Sequence, residues 1–152
     1  MTARVDFYVL KSTSLEQRWI FACRLAEKAY LGDLMIGIVQ ANLNDARALD
    51  ELLWTFNERS FVPHGLCVDE EFDPAARVHV GLDTGKLPAV DLLVNLTDRM
   101  PQDLDRFARI AEIIDAEPER LRLGRERFKA YRDMKFTMES HQIGQADETA
   151  SP

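Results

Sequence analysis

The chain has 152 residues, 46% of them hydrophobic and 30% charged, with a formal net charge of −7. That length bounds it to one domain with one substantial core, and the negative balance opposes broad, sequence-independent attraction to a phosphate backbone, which needs net cations over a large surface. Two cysteines, Cys23 and Cys67, are too few and too far apart for a disulfide scaffold or a paired-thiol metal site, and point to free, buried thiols in a reducing compartment.

The N-terminal segment offers only the short apolar run VDFYVL (Val5 to Leu10), with no small-residue cleavage pattern. Neither a signal peptide nor a membrane span is expected, and a cytoplasmic protein is the default. The run is rich in β-branched and aromatic residues and predicts a strand. A long helix follows, opened by Ser14 with Gln17 in a capping box, and Leu15, Trp19, Ala22, Ala26 and Ala29 share its inward face. Leu34 to Ala41 is almost wholly apolar, as a strand covered on both faces should be. A second helix is predicted from about Asp45 to Trp54, with Ala46, Leu49, Leu52 and Leu53 inward.

From Glu58 to Pro74, the breakers Pro63, Gly65 and Pro74 and the acids Asp69, Glu70, Glu71 and Asp73 predict a solvated loop. Strands are expected at Arg77 to Leu82 and Val90 to Leu96, then a short helical piece near Pro101 to Phe107. RIAEIID is ambiguous between helix and strand, and its β-branched Ile110, Ile113 and Ile114 before a helix-initiating Pro118 decide for strand. The polar, aperiodic end predicts a flexible tail over residues 138–152 after a single domain over 1–137. Strands alternating with helices imply an α/β fold: a Rossmann-like three-layer arrangement, mainly parallel sheet with helices on both faces.

Such a fold invites a search for a phosphate-binding turn after the first strand. There the sequence is LKSTSLEQR, without glycine, whereas a dinucleotide fingerprint needs glycines for close backbone approach. GLDTGKLP (Gly81 to Pro88) has the wrong glycine spacing for a P-loop and a proline where the helix should start, so it reads as a loop carrying a lysine. His64 lies three residues before Cys67, but no second pair completes a tetrahedral metal site, and a structural use of His64 is expected. The acidic run lacks two carboxylates in opposed environments, and no nucleophile and base stand in a catalytic spacing. No catalytic residue, cofactor or metal is predicted.

One segment departs from the acidic background. From Glu119 to Arg132 six Lys or Arg (Arg120, Arg122, Arg125, Arg127, Lys129 and Arg132) face two Glu. On a helix, Leu121, Gly124, Phe128 and Tyr131 form one stripe, edged by Arg122, Arg125, Lys129 and Arg132. Cations beside an apolar strip on an acidic body suit a short acidic peptide with a hydrophobic anchor better than a long polyanion. Two other readings compete: direct binding of single-stranded nucleic acid, with Phe128 and Tyr131 as stacking platforms, and a degenerate Rossmann-like enzyme with an unrecognised site.

VDFYVL, LDELLWTFNERSFVPHGL (Leu49 to Leu66) and RERFKAYRDMKF (Arg125 to Phe136), in that order, resemble the chi subunit family of the bacterial DNA polymerase III holoenzyme, with similarity of pattern over residues 4–137. The resemblance implies a non-catalytic adaptor that binds the acidic C-terminal tail of single-stranded-DNA-binding protein and joins the clamp loader through the psi subunit, meeting nucleic acid only indirectly. It places tail binding at Arg125, Phe128 and Lys129, with Arg122 beside them, and psi binding at Trp54 and Phe61. The sequence departs from the family pattern at three points. Phe128 stands where tyrosine is found, Leu121 where lysine can occur, with Arg122 offered as the substitute cation, and Lys135 where glycine precedes the final phenylalanine.

Overall fold

The computed structural model describes residues 4–67 and 75–144. The acidic run Asp69 to Asp73 and the last eight residues lie outside the described residues. The first strand, β1 (Arg4–Leu10), leads into α1 (Leu15–Leu31), where the Ser14 hydroxyl accepts from the Gln17 N–H at 3.3 Å. Strand β2 (Ile36–Val39) then leads into α2 (Leu43–Thr55), capped by Asn42. Strands β3 (His64–Cys67), β4 (Val78–Gly81), β5 (Leu92–Asn95) and β6 (Arg109–Ile114) follow, the last two pairs joined by single 3-10 turns at Thr84–Lys86 and Leu104–Arg106. The chain continues through α3 (Pro118–Asp133) to β7 (Thr137–Ile143).

Among the described residues these strands form one seven-stranded sheet in the order β3-β4-β2-β5-β6-β1-β7, with every neighbouring pair parallel. The predicted α/β fold is the observed one. Alternate residues of the central strands feed two cores. Tyr8, Ile38, Leu92 and Ile113 pack with α1 and α2, whereas Phe7, Val39, Leu93 and Ile114 pack with α3. Burial on both faces is why these strands are apolar without alternation.

Three expectations are corrected. The predicted loop contains β3, because Gly65 and Pro63 mark an edge strand whose ladder is supplied by β4, with His64 opposite Val78. The predicted tail from residue 138 is β7 as far as Ile143, paired along all its length with β1 from Arg4↔Thr137 to Leu10↔Ile143. Its polar residues suit an edge strand half in water. Leu15, read as inward, is 37% exposed at the first turn of α1.

The end of α3 explains the residue before Phe136. Lys135 has φ 69°, its N–H donates to the Arg132 carbonyl at 3.0 Å, and the Phe136 N–H donates to the Tyr131 carbonyl at 3.2 Å. That is a Schellman ending, completed by the edge-on contact of Tyr131 and Phe136 rings at 5.5 Å. The left-handed position favours glycine, and Lys135 holds it here at some conformational cost.

Candidate peptide-binding groove

Helix α3 begins at Pro118, with the Glu117 carboxylate accepting from the backbone N–H groups of Glu119 and Arg120 at 3.2 and 2.9 Å. It lies over β6 and β1 at close range because position 124 is glycine. A Cβ there would sit 2.5 Å from Ile114 Cδ1. Arg127 and Tyr131, one and two turns on, face the sheet, and both reach Glu112 of β6. Arg127 Nε donates to Glu112 Oε1 at 3.1 Å, and the Tyr131 hydroxyl and Asn95 Nδ2 donate to Oε2 at 2.8 and 2.9 Å. Arg127 is 4% exposed and Glu112 fully buried. Burial pushes the Glu112 carboxyl up, against the opposing pull of Arg127, Asn95 and Tyr131.

This arrangement revises the charge count of the helix. Arg120 is held by Asp115 at 2.8 Å and by the Thr13 carbonyl at 3.1 Å, and Arg122 bridges Glu119 and Glu126, the latter at 3.0 Å. Arg127 is buried on Glu112, and Arg132 lies 3.8 Å from Asp133. Four of the six cations therefore have carboxylate partners within the fold, from the helix itself and from β6 and the turn after it. Among the described residues, Arg125 and Lys129 have no carboxylate partner. Tyr131, a stacking platform in the nucleic-acid reading, is fully buried and cannot serve as one.

Beside Arg125 a groove of about 450 Å³ opens between α3 and the strands. Its floor is apolar: Phe7 and Val9 of β1, Ile114 of β6, and Leu121 and Phe128 of α3. The Phe128 ring is fixed by the edge of Phe7 at 5.1 Å. Ser140 and Gln142 of β7 form a polar, uncharged wall, and Arg125 and Lys11 are the charged groups lining it. Of the predicted site residues, Arg125 and Phe128 line the groove, whereas Lys129 lies one turn along the exposed face, and Arg122, offered as substitute for a lysine at 121, is tied to its glutamates outside it. Lys11, at the end of β1, was not anticipated, nor were the β7 residues.

The β7 wall is fastened from the opposite face of the sheet by Asp6. Arg4 and Arg109 donate to its buried carboxylate at 3.0 Å each, and His141 Nε2 lies 3.1 Å away. Asp6, Glu139 and His141 have ligand atoms within 4.8 Å of one another. Two guanidinium groups already occupy the position a cation would take. Burial alone pushes the Asp6 carboxyl up, but hydrogen bonds from Arg4, His141 and Arg109 outweigh it and hold it below the ordinary carboxylate range.

At the opposite edge of the sheet stand Trp54 and Phe61, the second predicted pair. They are 49% and 66% exposed, with ring centroids 5.7 Å apart, so they are a surface and not core packing. Beneath them His64 is structural, as expected: its ring lies 4.3 Å from that of Trp54, with Nδ1 2.7 Å from the Val62 carbonyl oxygen and Nε2 2.9 Å from that of Asp50.

A third site follows from topology. The connection from β2 runs to one side of the sheet and that from β5 to the other, so the crevice between their C-terminal ends is the place where open α/β sheets bind ligands. Here it holds about 190 Å³, bordered by Val39, Thr84, Asn95 and Thr97. The turn after β2, Gln40 to Asn42, lacks glycine, and Asn95 and Thr97 are spent on each other at 2.7 Å. No helix among the described residues is long and apolar enough to cross a membrane.

The family model described as "DNA polymerase III chi subunit, HolC" matches residues 1–139. A Pseudomonas aeruginosa protein named DNA polymerase III subunit chi is 36% identical over 140 residues, covering 92% of this chain and 96% of its own. Proteins of the same name from Haemophilus influenzae and Escherichia coli are 25% and 27% identical, covering 95% and 76% of this chain and 100% and 79% of their own.

Proposed function

Because the chain belongs to the DNA polymerase III chi subunit family, we propose that it is a non-catalytic adaptor of the replication machinery. Its groove takes the acidic C-terminal tail of single-stranded-DNA-binding protein, and its Trp54 and Phe61 surface takes the psi subunit of the clamp loader. The observation that carries the tail reading is a groove with an apolar floor and two cations, Arg125 and Lys11, but no carboxylate in its lining. A planar guanidinium holds a carboxylate through paired hydrogen bonds, and the floor beside Phe128 accepts an apolar side chain. Lys129, unpaired one turn on, adds attraction from outside the groove.

The test is a fluorescence-anisotropy titration with a labelled peptide, a run of aspartates closed by phenylalanine. Arg125→Ala is expected to weaken binding by at least about tenfold, the loss of one charge-assisted contact, and raised salt weakens the wild type. Unchanged affinity in the variant sinks the site assignment. Tight binding of an oligonucleotide by this chain with no other protein present favours the competing nucleic-acid reading instead.

The aromatic pair has the composition and partial exposure of an interface anchor, a large ring held in place by the buried side chain of His64. Trp54→Ala is expected to cost about 2 kcal/mol or more in a pull-down or calorimetric titration with psi, the range of a hot-spot tryptophan. Undiminished psi binding by that variant removes Trp54 from the interface.

A further inference from the structure

Resting on the reading of the groove as a peptide site, we infer that Lys11 is a second carboxylate-binding cation of the groove and makes it selective for peptides that present two carboxylates around one apolar side chain. Lys11 directly follows β1, is exposed, and lines the groove with Val9 and Leu10, far in sequence from Arg125 on α3. Among the described residues it has neither an ion-pair partner nor a hydrogen bond to its side chain. In an acidic chain, where four of the six α3 cations are paired, two unpaired cations from separate elements converge on one apolar floor.

The rest of the lining makes the selectivity a matter of charge. Ser140 and Gln142 offer only neutral hydrogen-bonding groups, and nothing in the lining repels an anion. Arg125 alone has a single carboxylate to satisfy. With Lys11 on the strand side, the groove holds the terminal carboxylate on one cation and an acidic side chain on the other, while the apolar residue between them lies on Phe7 and Phe128. A lysine suits this second role because its compact charge tolerates variable geometry on a flexible stem.

The experiment uses the full chain and the aspartate-run peptide ending in phenylalanine, with a free or an amidated C-terminus and with asparagines replacing the aspartates. Lys11→Ala is expected to weaken the free-acid peptide about fivefold, the upper end for an exposed ion pair, with Lys11→Arg close to wild type. One of the two peptide changes, amidation or asparagine, abolishes the Lys11→Ala effect while the other abolishes that of Arg125→Ala. Lys28→Ala, near the far end of α1, makes the same change in net charge and is expected to leave affinity unaltered. If Arg125→Ala loses binding but Lys11→Ala binds as wild type, this inference falls and the tail-binding function stands. An equal loss in Lys28→Ala reduces Lys11 to bulk charge and also overturns it. Absence of peptide binding by the wild type overturns both.

Discussion

Glu112→Gln is expected to lower stability by about 3 to 5 kcal/mol in urea unfolding, the cost of leaving a buried charge without its counterion. Among the described residues the carboxylate is the sole ion-pair partner of Arg127, whose Nη1 already has no hydrogen-bond partner, so no second carboxylate there compensates the guanidinium. The amide oxygen, placed where Oε2 stands, can still accept from both Asn95 and the Tyr131 hydroxyl, but the NH2 group then faces the Arg127 N–H, donor against donor. Glu112→Gln with Arg127→Met is therefore expected to recover most of the loss, because replacing a whole buried pair is far cheaper than breaking it. A single variant within about 0.5 kcal/mol of wild type, the scatter of surface substitutions, contradicts a buried, mutually dependent pair. Peptide affinity provides a second readout. Arg127 and Tyr131 fix α3 in rotation, and Arg125 and Phe128 are aimed by that rotation.

Gly124→Val is expected to destabilise by about 2 to 3 kcal/mol, where overpacking outweighs the small gain in helix propensity. The first added carbon meets Ile114 at 2.5 Å from Cδ1 and 2.9 Å from Cγ2, and the second of these atoms is not a flexible tip that can swing aside. Either Ile114 changes rotamer or α3 lifts from β6. Gly124 lines the groove, so the same variant is expected to lose peptide affinity by at least about tenfold even where it is fully folded. Adding Ile114→Ala should restore part of the stability by vacating the space. A Gly124→Val protein as stable as wild type, with unaltered binding, means that the helix does not need this close approach.

The long helices and the five central strands were legible because their signals are local: a capping serine, a helical stripe, an apolar or β-branched run. Strands β3 and β7 were not, for a shared reason. Both are edge strands, one broken by Pro63 and Gly65 and the other polar at nearly every position, and what makes them strands is a partner distant in sequence. The groove was half legible. Helical spacing placed Arg125 and Phe128 together, whereas Lys11 enters only when β1 is laid beside α3. The role of Arg127 could have been read earlier. It shares a face with Gly124 and Tyr131, and a cation on an inward stripe needs a buried acid. The glutamate interrupting RIAEII is the conspicuous one.

The strand order has a mechanical consequence. Trp54 and Phe61 stand at the β3 edge and the peptide groove at the β7 edge, so six interstrand steps separate them. At about 4.8 Å each, the steps make a span of about 29 Å. Two partners on these edges do not collide, and substitutions at the two surfaces should act additively on a ternary complex. On the proposed reading, the sheet is a stiff spacer. It holds the clamp loader at a fixed distance from a captured tail and raises the local concentration of each for the other without a flexible linker of its own.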